Sequence, residues 1–266
     1  GRSLLALEQY DEAIEPFKQL VRLHPDNASF NYWCGVAYRY KLTSTNNPLE
    51  QGILASKTKQ YFQQAVELDP TNVDAKISLA NYYINAPAIA GGSKRKALAL
   101  ADEVQILDAV SAHQLRANIY RTEQKYDLAA QEYEALTKIV PTERKPMTAY
   151  NMGFMYQTAK QFDSAFAAFE QAIKLNENLY RAYYQYARTA VFSKKNVDQG
   201  IKYLEHYLKN TEKLRENDVQ PSGAHWRLGM LYEIKGDKAT AKKHYEQALA
   251  LDPNNDNARK SLEALK

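Results

Sequence analysis

A single cysteine, Cys34, occurs in the 266 residues, so no disulfide can form within the chain and the redox compartment stays open. Long apolar runs are missing too. No stretch approaches the roughly 20 residues a helix needs to cross a bilayer, which argues against membrane insertion. Charge of one sign is equally scarce. Lys and Arg number 35 against 31 Asp and Glu, and the excess of +4 is spread along the chain, so neither nucleic acid nor a membrane surface is indicated as a partner. The five histidines, His24, His113, His206, His225 and His244, have no second His or Cys at a metal-ligand spacing such as H-x3-H or C-x2-C. Neither G-x-S-x-G nor G-x-G-x-x-G occurs. No catalytic residue, metal or cofactor is therefore expected. No secretory signal is visible, and Gly1 stands where a methionine would start a chain, so further sequence is expected upstream.

What is present is 45% hydrophobic and 25% charged, enough to bury a core. It is also periodic. The segments QYDEAIEPF (9–17), KYDLAAQEY (125–133), QFDSAFAAF (161–169) and DKATAKKHY (237–245) each place Ala four residues before Phe or Tyr: Ala13/Phe17, Ala129/Tyr133, Ala165/Phe169 and Ala241/Tyr245. Eight residues after the aromatic stands Pro25, Pro141 or Pro253, with Glu177 once in its place, and Phe62 and Pro70 repeat the spacing. A second signature sets a small residue three before an aromatic, as in Gly35/Tyr38, Ala80/Tyr83, Ala117/Tyr120, Gly153/Tyr156 and Gly229/Tyr232. With Gly1 and Ala187 as the remaining small positions, the steps are 34, 45, 37, 36, 34 and 42 residues.

These residues resemble the tetratricopeptide repeat, a helix–turn–helix unit of 34 residues. The small residues sit where paired helices cross closest. The aromatic four positions on shares their face and is expected to fill the gap towards the next repeat. The prolines stop each second helix, and DPTN (69–72) and DPNND (252–256) each cap the next helix. The expected fold is all-α, a right-handed superhelical solenoid forming one domain over 1–266. Its repeats are a truncated 1–27, then 28–72, 73–109, 110–145, 146–179, 180–221 and 222–255, closed by a capping helix at 256–266. Pro16 should bend its helix, and Gly200 replaces the usual alanine. Three insertions depart from the pattern: 42–52, expected as a loop; 86–92, a turn; and 209–220, expected to prolong the preceding helix.

The second insertion, ending Gly91-Gly92-Ser93-Lys94, superficially suggests a phosphate loop. The frame is wrong for G-x-x-x-x-G-K-[ST] and no strand precedes it, so Ser93 reads as a helix N-cap, with Pro87 ending the previous helix. An anion at this helix start beside Lys94, Arg95 and Lys96 is the alternative. Cys34, beside Gly35 at a helix contact, reads as a buried, inert thiol. Similar Pro…Gly-Gly insertions occur in some bacterial members of the family, which leans the reading towards an exported bacterial protein without fixing the compartment.

In this family the first helices line a concave groove that binds peptides or chain termini. By that resemblance the groove-facing residues are Tyr32, Trp33, Arg39 and Tyr40; Asp74, Asn81 and Asn85; Gln114, Asn118 and Arg121; Tyr150, Asn151, Phe154 and Gln157; Arg181, Tyr184, Gln185 and Arg188; and Trp226, Arg227 and Glu233. Trp33 and Trp226 are open to either a core or a groove role. Amides suit peptide backbone, and Tyr, Trp and Arg are the usual anchors. Some members grip a C-terminal carboxylate with two Asn and three cations. Here Asn118, Asn151 and Arg181 match, while Gln114 and Gln185 replace the other two cations and weaken the expected grip. The implied function is a non-enzymatic scaffold for a protein or peptide segment. The alternative is an assembly component that oligomerises through its ends or convex face, where Leu4, Leu5 and Leu7 are apolar.

Overall fold

The computed structural model describes residues 1–215 and 218–265, and among them are fifteen α-helices and no strand. They run as seven consecutive pairs: α1 (Arg2–Ala6) with α2 (Tyr10–Leu23), α3 (Ala28–Ser44) with α4 (Pro48–Leu68), α5 (Val73–Asn85) with α6 (Lys94–Leu107), and α7 (Ala109–Thr122) with α8 (Tyr126–Ile139). Then come α9 (Lys145–Thr158) with α10 (Phe162–Leu175), α11 (Tyr180–Ser193) with α12 (Val197–Leu208), α13 (Pro221–Ile234) with α14 (Lys238–Leu251), and a final α15 (Asp256–Ala264). The chain divides into two compact bodies, Gly1–Leu136 and Thr137–Lys266, each with its own apolar core.

Within a pair, the small residue of the first helix receives the ring of the second. A Cβ on Gly35 would lie 2.6 Å from the Phe62 ring, one on Gly153 2.7 Å from Phe169, and one on Gly229 2.3 Å from Tyr245. The rings thus cover the small residue of their own repeat, and Phe62 also shares one core cluster with Leu79 and Ala80 of the next. A missing side chain leaves a hollow, and a ring from the paired helix occupies it. Phe62, Phe169 and Tyr245 are wholly buried, and burying each contributes roughly 1.5–3 kcal/mol. The companion alanines Ala13, Ala129, Ala165 and Ala241 are equally inaccessible. Gly200, in place of such an alanine, lies where a Cβ would be 3.0 Å from that of Ala190.

Local chemistry closes the helices. The second helices α2, α4 and α14 end two residues before Pro25, Pro70 and Pro253. Asn72 and Asn255 cap α5 and α15, accepting from the backbone N–H of Ala75 (2.9 Å) and Ala258 (3.1 Å). Four turns between paired helices repeat one device, a left-handed residue at Glu8, Gln124, Lys160 and Gly236. The next N–H then reaches back across the turn, as Lys125 to the Tyr120 carbonyl, Gln161 to Tyr156 and Asp237 to Tyr232, each at 2.9 Å. Pro16 lies inside α2, which continues past it.

Two insertions differ from expectation. Segment 42–52 is mostly helical, because α3 runs on to Ser44 and Asn47 caps α4 with Pro48 at its first position. The described residues of segment 209–220, all but 216 and 217, do not prolong α12, which ends at Leu208, and a single 3-10 turn at Thr211–Lys213 follows. There the Tyr207 hydroxyl donates to the Val219 carbonyl at 2.6 Å and folds the segment back. Residues 86–92 form a short turn as expected, with Gly91 left-handed at φ 87° and Ser93 capping α6.

Candidate functional site

In the second body the first helices α9, α11 and α13 are neighbours, and α11 touches both others. Along them runs a ladder of rings and guanidinium groups. Arg188 lies 5.1 Å over the Phe192 ring, Arg227 lies 5.8 Å from the same ring, and Arg227 also covers Trp226 at 4.3 Å. Phe192 remains 48% exposed and Phe154 on α9 38%, so apolar surface is presented to solvent between the cations. Arg227 Nε donates to the Tyr184 hydroxyl (3.3 Å) and Arg188 to the Gln185 side chain (3.4 Å). Neither arginine forms an ion pair among the described residues. Arg181 does, facing Asp218 at 3.2 Å, an internal carboxylate contributed by the 209–220 insertion.

Of the residues projected onto the groove, Tyr40, Asp74, Asn85, Gln114, Asn151, Phe154 and Glu233 are exposed, Tyr184 and Gln157 are buried, and the remainder are half-buried. Tyr184 holds Arg227 and presents little surface of its own. Gln157 is buried as well: its Nε2 donates to Thr189 Oγ1 (2.7 Å) and to the Gln185 carbonyl (3.2 Å), tying α9 to α11. Tyr150 bonds Gln185, and burial raises its hydroxyl pKa. Glu233 is occupied by the Tyr245 hydroxyl at 2.8 Å. Trp226 donates to Ser261 on α15 (3.0 Å), so one tryptophan serves both the ladder and the end cap. Phe192 lies outside the projected set, although it stands one turn beyond Arg188 on the same helix face.

In the first body Tyr32 and Trp33 turn inward. Tyr32 packs on Phe62 with ring centroids 6.1 Å apart, and Trp33 on Phe17 at 6.4 Å. Tyr40 stacks on Tyr10 at 5.6 Å. Asn118 accepts from Arg121 at 2.7 Å. Arg39, Asn81 and Asn85 are brought together around a pocket of about 520 Å³ between α3, α4 and α5. The basic cluster after Gly92 is turned onto the protein, with Lys94 Nζ donating to the Ile84 carbonyl and Lys96 lying 5.4 Å over the Tyr83 ring. Cys34 is wholly buried, and burial pushes its thiol up to about 12. Among the described residues no three His, Cys, Asp or Glu side chains could hold a metal, and no helix is long and apolar enough to cross a membrane.

Sequence profiles described as TPR repeat and tetratricopeptide repeat match residues 1–39, 110–142, 148–179 and 222–255, together more than half of the chain. The chain belongs to the tetratricopeptide repeat family. All three insertions lie outside the matched segments of this tetratricopeptide repeat protein. Solved structures agree in fold. Yeast Tom70 superposes with a TM-score of 0.67 at 16% identity, covering 97% of this chain and 51% of that one. The C-terminal part of a TPR repeat-containing protein from Cytophaga hutchinsonii gives 0.61 at 19% identity, over 98% and 97%. YrrB, described as a TPR protein with an unusual peptide-binding site, gives 0.53 at 20% identity, over 76% and 97%. The fold is the all-α tetratricopeptide solenoid.

Proposed function

We propose that the chain is a non-catalytic scaffold that holds an extended protein segment against the first helices of its repeats, with α11 and α13 as the principal contact. Family membership and the fold support a protein-interaction role in general. The finer reading rests on one observation, the exposed Phe192 flanked by Arg188 and Arg227, neither of them neutralised by a carboxylate. Rings between fixed guanidinium groups suit a segment that carries both an aromatic and an acidic side chain. Gln185, which accepts from Arg188, and the exposed Asn151 on α9 can pair with its backbone. A C-terminal carboxylate is a weaker fit at Arg181, whose charge already meets Asp218.

The test is a peptide array screened with the full chain and with Arg188→Gln/Arg227→Gln. Enrichment of acidic, aromatic peptides, lost in the variant while helicity is kept, supports the reading; equal retention by both proteins refutes it. A second reading, assembly through apolar surface, draws on Leu49 and Ile53, one turn apart on α4 and 82% and 65% exposed. Light scattering that gives a concentration-dependent oligomer, dispersed by Leu49→Lys/Ile53→Lys, would favour it.

A further inference from the structure

Two of the three insertions meet at one place. The 42–52 segment delivers the first turns of α4, including Gln51 and Gly52, and the 86–92 segment delivers Ala86, Pro87 and Ala90; both wall the 520 Å³ pocket of the first body. A regular repeat has neither wall. The second wall is tightly fixed. The Tyr82 hydroxyl donates to the Ala90 carbonyl at 2.7 Å, and the Gly92 N–H donates to the Pro87 carbonyl at 3.0 Å. A Cβ on Gly92 would fall 1.8 Å from the Ala86 carbonyl oxygen, so the turn closes only with glycine.

The lining is mostly apolar and includes one cation, Arg39, and no carboxylate. Two polar atoms at this pocket have no protein partner. Thr58 is 1% exposed and its Oγ1 bonds to nothing among the described residues, and the Nε of Arg39 is buried in the same state. Buried polar groups are nearly always paired, because an unmet donor forfeits its hydration without replacement. An apolar pocket of this size with few convergent donors is the usual form of a small-ligand site.

We propose that this pocket binds a small monocarboxylate, its apolar body against Leu42, Ala55 and Pro87 and its carboxylate accepting from Arg39 and Thr58. A single cation matches a single negative charge. A carboxylate supplies acceptors to a guanidinium and a hydroxyl together, and such charge-assisted bonds are the strong ones. The walls are in place before the ligand arrives, which lowers the cost of binding. The site is independent of the ladder on α11 and α13.

The experiment is calorimetric titration of the full chain with 4-phenylbutyrate and with its neutral amide. The acid should bind at least about tenfold more tightly than the amide, and Arg39→Gln should weaken the acid by a similar factor. Thr58→Val keeps shape and removes only the hydroxyl. It should raise the melting temperature of the free chain, by relieving an unmet group, and yet weaken the acid about fivefold. A purely structural threonine would not move affinity. Arg188→Gln/Arg227→Gln should leave the acid's affinity unchanged. Acetyl-Ala-Ala-Phe as free acid, competing with 4-phenylbutyrate, distinguishes a peptide terminus from a free acid as the source, and either upholds the site. Failure of 4-phenylbutyrate to saturate the chain by about 10 mM, equal affinity for acid and amide, or unchanged affinity in Thr58→Val would each overturn the proposal.

Discussion

Replacing Gly153 by alanine tests the packing rule on which the repeats depend. The new Cβ would stand 2.7 Å from both Cδ1 and Cε1 of Phe169 and 3.1 Å from its Cγ. Carbon atoms pack comfortably at about 3.5–4.0 Å, so the ring has to retreat by roughly 1 Å. It has little room, because it is wholly buried and the Tyr150 ring lies 5.9 Å away. Overpacking of this kind costs about 1–3 kcal/mol. Working against it, alanine is a better helix former than glycine by about 1 kcal/mol in a helix interior. With the Phe169 ring held on all sides the clash should win, leaving the variant destabilised by up to about 2 kcal/mol. The sign should then reverse when the ring is absent. Phe169→Ala alone costs about 3–5 kcal/mol. In that background Gly153→Ala has nothing to strike and should stabilise by about 1 kcal/mol. Urea unfolding followed by circular dichroism reads both differences, and hydrogen exchange on α9 and α10 localises them. If Gly153→Ala stabilises the parent chain, or destabilises both backgrounds equally, the contact is not what selects the small residue.

Three further outcomes are expected. Cys34, wholly buried and pushed up to about 12, should resist a maleimide in the native chain and react only as fast as urea opens the first body; immediate labelling would contradict its packing. Lys160→Gly and Gln124→Gly, which relieve left-handed backbone at φ 58° and 59°, should each stabilise by about 1 kcal/mol in urea melts, and a loss would show that the side chains are needed there. The pKa values of His225 and His244 are lowered, first by burial and for His225 also by its neighbour, and their Nδ1 atoms lie 3.1 Å apart, so one ring donates and the other accepts. The unfolded chain therefore takes up protons first. Stability is complete above the ordinary histidine value and drains away as pH falls from about 6.5 towards the depressed folded values, a slope that His244→Asn should flatten in urea midpoints measured across that window.

Much of the fold was legible because it is written in short-range spacing. A small residue, a ring on the paired helix, a proline two residues past the helix end and an asparagine cap all act within one repeat. The insertions were less legible. Turn-forming residues in 42–52 suggest a loop, but most of the segment is absorbed into α3 and α4, where helical hydrogen bonds and packing outweigh local turn preference. The charges of 209–220 suggest more helix, but the Tyr207 hydroxyl captures the Val219 carbonyl and Arg181 captures Asp218.

What the amino-acid order determined alone is the repeat itself: the small residue and ring of each helix pair, the prolines past the helix ends and the asparagine caps. Tertiary structure decided which side chains share a surface. Arg188, Phe192 and Arg227 meet across two helices, and Arg39 and Thr58 face one pocket, only because of how each helix is rotated about its axis. That rotation comes from the summed packing of whole faces, and no short spacing in the sequence encodes it.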